Sequence, residues 1–244
     1  MKNPFIFGKI VEKSDYCRRD SVEKKIAVNI ESGQNLAFLG PRRSGKTSTV
    51  LYVLSKMNKI PFVEVDFNGV RDEVDIASRI INAVGTMQGR FYKLESALKF
   101  LGRFRPTIIT EPDGSGFQIT TSIAKDQIEE SIDTAFSLIN KFTQKKQLAV
   151  FFDEFQMLKQ LEHTDSLIAY LRTKIQKFHR TSFVFAGSVR HLIDEIFRSP
   201  KSPFFKSAEI LELEPIDQDA FFSFIAHKMA FKKINVPNEQ FMKI

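Results

Sequence analysis

"LGPRRSGKTSTV", residues 39–50, joins an apolar run to a helix-forming run and decides the fold of this chain. Gly40 to Thr47 within it, "GPRRSGKT", satisfy the pattern G-x-x-x-x-G-K-[ST]. Glycines let the backbone curl so that its N–H groups point at a phosphate, and a following helix adds its positive N-terminal end. A predicted buried strand (34–40) precedes the pattern and a predicted helix (45–58) follows it, so the context also predicts a phosphate-binding loop.

The loop carries two side chains with specific chemistry. Lys46 is expected to bridge the outer phosphates, and Thr47 is expected to hold Mg²⁺. The alternative is a glycine turn that happens to contain a lysine. On the phosphate-loop interpretation, the nucleotide-binding residues are Gly40, Pro41, Arg42, Arg43, Ser44, Gly45, Lys46, Thr47 and Ser48.

A second apolar run ends in two acids. "LAVFFDEFQ", residues 148–156, is typical of a buried strand, and it places Asp153 and Glu154 at the carboxyl end, where ligands of parallel sheets bind. Asp153 is expected to hold Mg²⁺ together with Thr47, and Glu154 to polarise an attacking water. The other interpretation is that both carboxylates stabilise the start of the next helix.

A third strand, "FVFAGSVR" at 183–190, ends in Gly187 and Ser188. A small polar side chain at this position can reach the attacking water or the terminal phosphate. Ser188 is equally suited to cap the predicted helix 189–197, and both roles are compatible.

Composition limits the class of protein. The chain has 244 residues, 43% of them apolar, which is enough for one sizeable core. A single cysteine, Cys17, excludes an internal disulfide and indicates a reducing compartment, so a cytoplasmic protein is expected. Apolar runs fall far short of the roughly 20 residues of a membrane span. The net charge of +7 suits phosphate-bearing ligands and leaves nucleic acid open as a partner.

Strand-like and helix-like patterns alternate along the chain, which predicts an α/β protein with a mostly parallel sheet covered on both faces. A hairpin is predicted around the turn "PDGSG", and the helical stretch 72–101 is expected to break near "AVGTMQG", 83–89. The predicted core strands are 34–40, 60–67, 147–152, 181–187 and 208–214. The other predicted helices are 21–30, 125–145, a segment extending to about 179, and 217–231.

Five segments, in chain order, resemble one family. They are "YCRRDSVEKKI" (16–26), "GPRRSGKTS", "FFDEFQ", "FAGS" and "LELEPID" (211–217). The set resembles the AAA+-related ATPases of the archaeal-type and STAND-like group, with more distant similarity to origin-recognition ATPases. The resemblance implies a P-loop NTPase fold with strand order 5-1-4-3-2, bound ATP and Mg²⁺, and a molecular switch that acts on a protein partner or self-assembles.

The resemblance also implies roles for single residues. Arg19 and Asp20 would border the base, Asp153 and Glu154 would be the Walker B pair, and Ser188 would be the sensor. Relatives often carry an arginine before the fifth strand, where this chain has Lys206 and Ser207. The nearest alternative arginine finger is Arg198.

The resemblance also implies a domain organisation. Residues 1–214 are expected to form the ATPase core, with the inserted hairpin at about 105–123. Residues 215–244 are expected to begin a helical lid, which is short or truncated because only 30 residues follow Glu214.

Other phosphate-loop classes fit less well. The chain has no LSGGQ-like signature of transporter ATPases and no N-K-x-D motif of GTPases. We therefore expect a slow ATPase whose output is either a switch acting on protein or a nucleic-acid loader. Arg172, Lys174, Lys177 and Arg180 lie in one predicted helix, which either faces phosphates or is an ordinary solvated face.

Overall fold

A computed structural model describes residues 5–6, 8, 11, 15–91, 93–112, 114, 116–161 and 164–231. Within these ranges the chain forms eight α-helices and seven β-strands. The strands are β1 (Leu36–Leu39), β2 (Phe62–Asp66), β3 (Thr107–Thr110), β4 (Phe117–Thr120), β5 (Leu148–Asp153), β6 (Thr181–Gly187) and β7 (Glu209–Glu212). The helices are α1 (Asp20–Glu31), α2 (Lys46–Lys56), α3 (Glu73–Phe91), α4 (Leu94–Leu101), α5 (Ile128–Thr143), α6 (Asp165–Ile175), α7 (Arg190–Phe197) and α8 (Gln218–Phe231).

The central sheet has five parallel strands in the order β2-β5-β6-β1-β7. Counted without the hairpin, this is the order 5-1-4-3-2 that the resemblance implied, so the predicted fold class is confirmed. Every residue of β1, β5 and β6 is buried, as expected of central strands that helices cover on both faces. The carboxyl ends of these three adjacent strands therefore meet at one edge of the sheet.

Aromatic packing fixes the segment that follows β5. Phe155 is fully buried, and its ring centroid lies 4.8 Å from that of Phe185 on β6 and 5.5 Å from that of Phe204. Rings at these separations pack favourably in a core. Phe155 thus anchors the chain immediately after Asp153 and Glu154.

The predicted break near residues 83–89 is wrong, because α3 continues through this stretch to Phe91. Its two glycines, four residues apart, serve close packing instead. A Cβ atom on Gly85 would lie 2.7 Å from Leu101 of α4, and one on Gly89 would lie 3.0 Å from the Phe117 ring of β4. Glycine at these two positions therefore lets α4 and β4 pack against α3 more closely than any larger residue would allow.

The inserted hairpin is confirmed as an antiparallel pair, β3 with β4, separate from the main sheet. All four residues of β3 are exposed, whereas Ile119 of β4 is 1% exposed and packs in the main core. Pro112 and Gly114 of the predicted turn are exposed, and Asp113 and Ser115 lie outside the described residues. The hairpin is thus an insertion that one strand attaches to α3.

Helix α6 is shorter than predicted, so the placement of four basic residues on one helix is wrong. The helix ends at Ile175, because Phe178 turns inward and its ring packs 5.8 Å from Phe136 and 5.9 Å from Phe183. Arg172 is half-buried and Lys174 pairs with Asp133. Lys177 and Arg180 follow the helix and are exposed.

The last described helix, α8, packs beside the segment that leads into α1. Lys228 forms an ion pair with Asp15, and Ile225 is buried. The predicted lid extends further, and its residues 232–244 lie outside the described part of the chain. No helix in the described ranges has the length and apolar content to cross a membrane.

Candidate nucleotide-binding site

The loop between β1 and α2 curls back on itself as the motif predicts. Arg43 and Gly45 have left-handed backbones, with φ of 61° and 93°. The Ser44 hydroxyl donates to the Pro41 carbonyl over 2.7 Å, and α2 begins at Lys46. This conformation places the N-terminus of α2 at the mouth of the loop, where free N–H groups and the helix dipole favour an anion.

Lys46 lies inside the loop and is 4% exposed. Its Nζ donates to the Pro41 carbonyl over 2.9 Å. Burial lowers the pKa of this ammonium, and the nearby carboxylates of Glu154 and Asp153 partly offset the decrease. This buried cation has three N–H donors and, among the described residues, hydrogen-bonds to the Pro41 carbonyl, so it has donor capacity left for a phosphate oxygen.

The two predicted metal ligands are in direct contact. The Thr47 hydroxyl donates to the Asp153 carboxylate over 2.6 Å, although 106 positions separate them in the sequence. Burial raises the pKa of Asp153, while the hydroxyl of Thr47 and the N–H of Glu154 lower it. A hydroxyl and a carboxylate side by side are oxygen ligands of the kind Mg²⁺ prefers, so the residues fit the ion.

Glu154 and Ser188 are also brought together. Glu154 has a left-handed backbone, with φ of 49°, and its carboxylate accepts a hydrogen bond of 2.7 Å from the Ser188 hydroxyl. Gln156 donates from its side-chain amide to the same carboxylate oxygen. The predicted base is therefore held by two side-chain donors.

Gln156 is a site residue that the sequence did not predict. It is 1% exposed, and its amide nitrogen lies 3.4 Å from the Ser188 oxygen. Its carbonyl oxygen has no hydrogen-bond partner among the described residues, which is a costly arrangement for a buried polar atom. Gln156 ends the segment "FFDEFQ" that carries part of the resemblance, but its spacing and residue type indicate no role at the site.

Arg19 contacts the phosphate loop, but Asp20 does not. The Arg19 guanidinium donates to the Ser44 carbonyl over 2.9 Å and to the Glu214 carbonyl over 3.2 Å. Asp20 is 80% exposed in the first turn of α1 and pairs with Arg18 at 2.7 Å. Contact of either residue with the base stays a prediction.

Arg198 lies apart from this cluster, in a network at the β7 edge. Its Nε is 2.9 Å from the Asp194 carboxylate, and its Nη2 is 3.4 Å from Glu212, which Arg190 also contacts at 2.7 Å. Lys206, which occupies the position of the relatives' arginine, has a left-handed backbone with φ of 51°. The finger role of Arg198 stays a prediction.

The remaining loop residues are placed as follows. Arg42 and Arg43 are exposed, and Ser48 is buried and accepts a hydrogen bond from the Val11 N–H over 3.3 Å. A Cβ atom on Gly40 would lie 2.9 Å from Leu213, so only glycine permits this close approach. The structure thus brings Lys46, Thr47, Asp153, Glu154 and Ser188 to one edge of the sheet.

No protein-family model matches the chain, and no curated protein sequence matches it. Solved structures do match. The Walker-type ATPase of Pyrococcus abyssi is similar with a TM-score of 0.66 and 16% identity, over 99% of this chain and 66% of that one. The ORC1 protein of Aeropyrum pernix, solved in complex with DNA, has a TM-score of 0.59 and 12% identity, over 88% of this chain and 50% of that one. The ORC2 protein of Aeropyrum pernix, solved with ADPNP and ADP, has a TM-score of 0.55 and 12% identity, over 97% of this chain and 57% of that one.

These similarities confirm the fold that the resemblance implied. The fold is that of archaeal Walker-type ATPases and of origin-recognition proteins. The chain spans between half and two thirds of the length of these neighbours.

Proposed function

We propose that this protein binds ATP together with Mg²⁺ and hydrolyses it. The observation that carries the proposal is the meeting of five side chains at the carboxyl ends of β1, β5 and β6. A buried lysine in a phosphate loop, a hydroxyl bonded to a buried carboxylate, and a second carboxylate beside a serine form the set that phosphoryl transfer to water requires. The neighbours' names, Walker-type ATPase and an ADPNP complex, support the same assignment.

Each residue has a role in this proposal. The loop N–H groups and Lys46 bind the phosphates, and Thr47 and Asp153 hold Mg²⁺, which supplies positive charge on the phosphate oxygens. Glu154 orients the attacking water and accepts its proton. Ser188 positions Glu154 through the 2.7 Å hydrogen bond.

The proposed output is a switch that couples nucleotide state to a protein partner or to self-assembly. Arg19 supports this coupling, because it joins the phosphate loop at Ser44 to the chain at Glu214, where α8 is about to begin. A change in the loop on nucleotide binding would therefore reach the segment after residue 214. On this proposal, residues 1–214 are the ATPase core and residues 215–244 begin its lid.

Nucleic-acid binding is the second candidate output. The neighbouring ORC1 protein was solved with DNA, and this chain has a net charge of +7. A nucleic-acid loader would use the same ATP site, so the two outputs differ in the partner and not in the chemistry.

Substitution of Lys46 tests ATP binding directly. Lys46→Ala removes the buried cation of the loop, and we expect affinity for a fluorescent ATP analogue to fall at least 10-fold, since a charged hydrogen bond contributes about 1.5–3 kcal/mol. Lys24→Ala, which removes an exposed cation on α1, is the matched control and should change the affinity less than 3-fold. Equal affinity of the Lys46→Ala variant and the parent would contradict the proposed function.

A further inference from the structure

The edge of the sheet opposite the ATP site carries a row of exposed cations. This edge is formed by the loops that enter the strands. We call the set the basic row, and it consists of Lys59, Lys145, Lys146, Lys177, Arg180 and Lys206.

The topology sets the order of the basic row. Lys59 precedes β2, Lys145 and Lys146 precede β5, Lys177 and Arg180 precede β6, and Lys206 precedes β7. In the sheet order β2-β5-β6-β1-β7, the cations therefore extend from one edge strand to the other. Five strands spaced about 4.8 Å apart make this row about 20 Å wide.

The loops of the row are joined to one another. The Leu148 N–H donates to the Arg180 carbonyl over 3.2 Å, and the side chain of Asn35 donates to the Ser207 carbonyl over 3.2 Å. A cavity of about 360 Å³ lies between Arg180 and the two lysines before β5, and a second of about 420 Å³ lies beside Lys206. His179 lines both cavities, so they are adjacent.

Among the described residues, the cations of the row form no ion pairs. Arg90 and Arg103 near the hairpin, by contrast, pair with Glu111 and Glu130. Glu31 and Glu209 line the two cavities, and Asp133 of α5 lies within electrostatic range of Lys177. Six like charges beside these three carboxylates leave a net positive surface, and a polyanion would relieve the repulsion among the cations.

Helix C-termini account for where these cations lie. Helices α2, α5 and α6 end at this edge, and a cation near the last turn is favourable there. The Arg180 guanidinium donates to the carbonyl of Gln144, the C-cap of α5, over 3.3 Å, and the Lys206 N–H donates to the Phe197 carbonyl at the end of α7 over 3.2 Å. Both residues remain exposed, so their charge stays accessible to a ligand.

We propose that the basic row binds the phosphodiester backbone of a nucleic-acid duplex. A duplex presents regularly spaced phosphates at high charge density, and a row about 20 Å wide can contact several of them at once. Flexible lysine side chains contact phosphates without reading bases, so binding is independent of sequence. The seven residues of β6 separate the row from the ATP site by about 20 Å, so the proposal stands apart from the proposed ATPase activity.

Two triple variants of equal net charge test this surface. Lys145→Ala, Lys146→Ala and Lys177→Ala together remove half of the row, and the control removes three exposed lysines elsewhere, Lys93, Lys99 and Lys125. Fluorescence anisotropy with labelled 20-base-pair duplexes of DNA and of RNA gives the affinity at several salt concentrations. We expect the row variant to bind at least 10-fold more weakly than the parent, and the control less than 2-fold more weakly. The magnitude of the slope of log K against log salt should fall by about 2–3 for the row variant.

Every other outcome decides against the proposal or identifies the duplex. Equal losses in both variants, or no binding by the parent at low salt, would overturn it. Competition by polyaspartate as effective as that by DNA at equal charge would assign the row to an acidic protein instead. Binding of one duplex alone identifies the nucleic acid. Unchanged ATP binding by the row variant verifies its folding, and Lys46→Ala is expected to bind DNA like the parent, which separates failure of this surface from failure of the ATP site.

Discussion

Glu154 shows how one residue connects the sheet to the proposed chemistry. The left-handed backbone turns the chain directly after β5, and the buried ring of Phe155 holds that turn in place. Its carboxylate is thereby directed at Ser188, which directly follows the neighbouring strand β6. A base held by two donors is oriented before the nucleotide arrives, which is the positioning that phosphoryl transfer depends on.

Replacement of this base should separate binding from turnover. Glu154→Gln keeps the shape of the side chain but is a poor proton acceptor, so we expect ATP affinity within 3-fold of the parent and turnover at least 100-fold lower. Gln156→Leu, which removes one donor to an intact Glu154, is the comparison and should retain more turnover than Glu154→Gln. Parent-like turnover of Glu154→Gln in a single-turnover assay would show that Glu154 is not the base.

Glu64 makes the stability of the protein depend on pH. It lies on edge strand β2, and burial, followed by repulsion from Asp153 and Asp66, raises its pKa from 4.5 to about 7. The folded state thus favours the protonated carboxyl. The destabilisation of the folded state by ionised Glu64 is therefore absent below pH 4.5, grows as the pH rises to 7, and is complete above pH 7. The residue is partly open to solvent, and we discount the cost to about 1 kcal/mol.

Glu64→Gln should therefore stabilise the metal-free protein at pH 8 by about 1 kcal/mol and have little effect at pH 4.5. Urea unfolding at the two pH values measures the difference. Glu129→Gln, an exposed carboxyl on α5, controls for the loss of one negative charge. A gain for Glu64→Gln that is the same at both pH values would contradict the assigned titration.

Residues at strand ends were predictable, and side chains that depend on packing were not. The contact of Thr47 with Asp153 follows from two motifs at the carboxyl ends of parallel strands, because the topology brings such ends together. Gln156 depends on the left-handed turn at Glu154, which no sequence pattern indicates. Asp66 is the exception among the strand ends: no motif singles it out, although it ends β2 and the β2–β5 register places it directly beside Asp153.

At the scale of elements, α3 shows where local signals fail. "AVGTMQG" contains two residues that disfavour a helix, and the break was predicted there. Tertiary packing overrides that preference, because Gly85 and Gly89 lie on the face that α4 and β4 approach. The existence and order of helices and strands followed from periodicity, whereas this contact depends on elements distant in the sequence.

The hairpin should be removable without loss of the ATP site. Its strand β4 contacts the C-terminal half of α3, where the Thr86 hydroxyl accepts from the Ile119 N–H over 2.8 Å. We expect replacement of residues 107–120 by a Gly-Ser linker to leave ATP affinity within 3-fold and to abolish coupling of hydrolysis to the partner. Removal of Ile119 exposes the part of the core that it covers, which should destabilise the protein by about 1.5–3 kcal/mol, measured by urea unfolding. Lost ATP binding in a folded variant would place the hairpin in the active site.

At the scale of the whole molecule, we assign a function to two opposite edges of the sheet. The carboxyl ends of β1, β5 and β6 carry the proposed ATP site, and the opposite edge carries the basic row. The hairpin attaches to the end of α3 that approaches the second edge, because α3 runs back from the carboxyl end of β2. The hairpin can therefore contact a partner at this second edge without contacting the nucleotide. This division was not predictable from charge alone, because the six cations are distributed over four loop segments in the sequence and only the sheet order aligns them.

A neighbouring copy is expected to complete the ATP site. The described residues around Glu154 supply one buried cation, Lys46, and Arg198 instead pairs with Asp194 and Glu212 at the β7 edge. Because an arginine finger contributes about 10³ to 10⁵ in rate, the isolated chain should hydrolyse ATP slowly and gain specific activity with protein concentration.

Arg198 is 47% exposed at the edge strand, so a second copy can reach it if the ion pair with Glu212 opens. Mixing Arg198→Ala with Lys46→Ala tests this action in trans. The first variant keeps an intact nucleotide site and the second keeps the arginine, so the mixture should recover part of the activity that each lacks alone. Arg190→Ala, which also loses a contact with Glu212, is the control and should keep parent-like activity on its own if Arg198 is the finger. Specific activity that stays constant with concentration, together with a fully active Arg198→Ala, would exclude the trans mechanism.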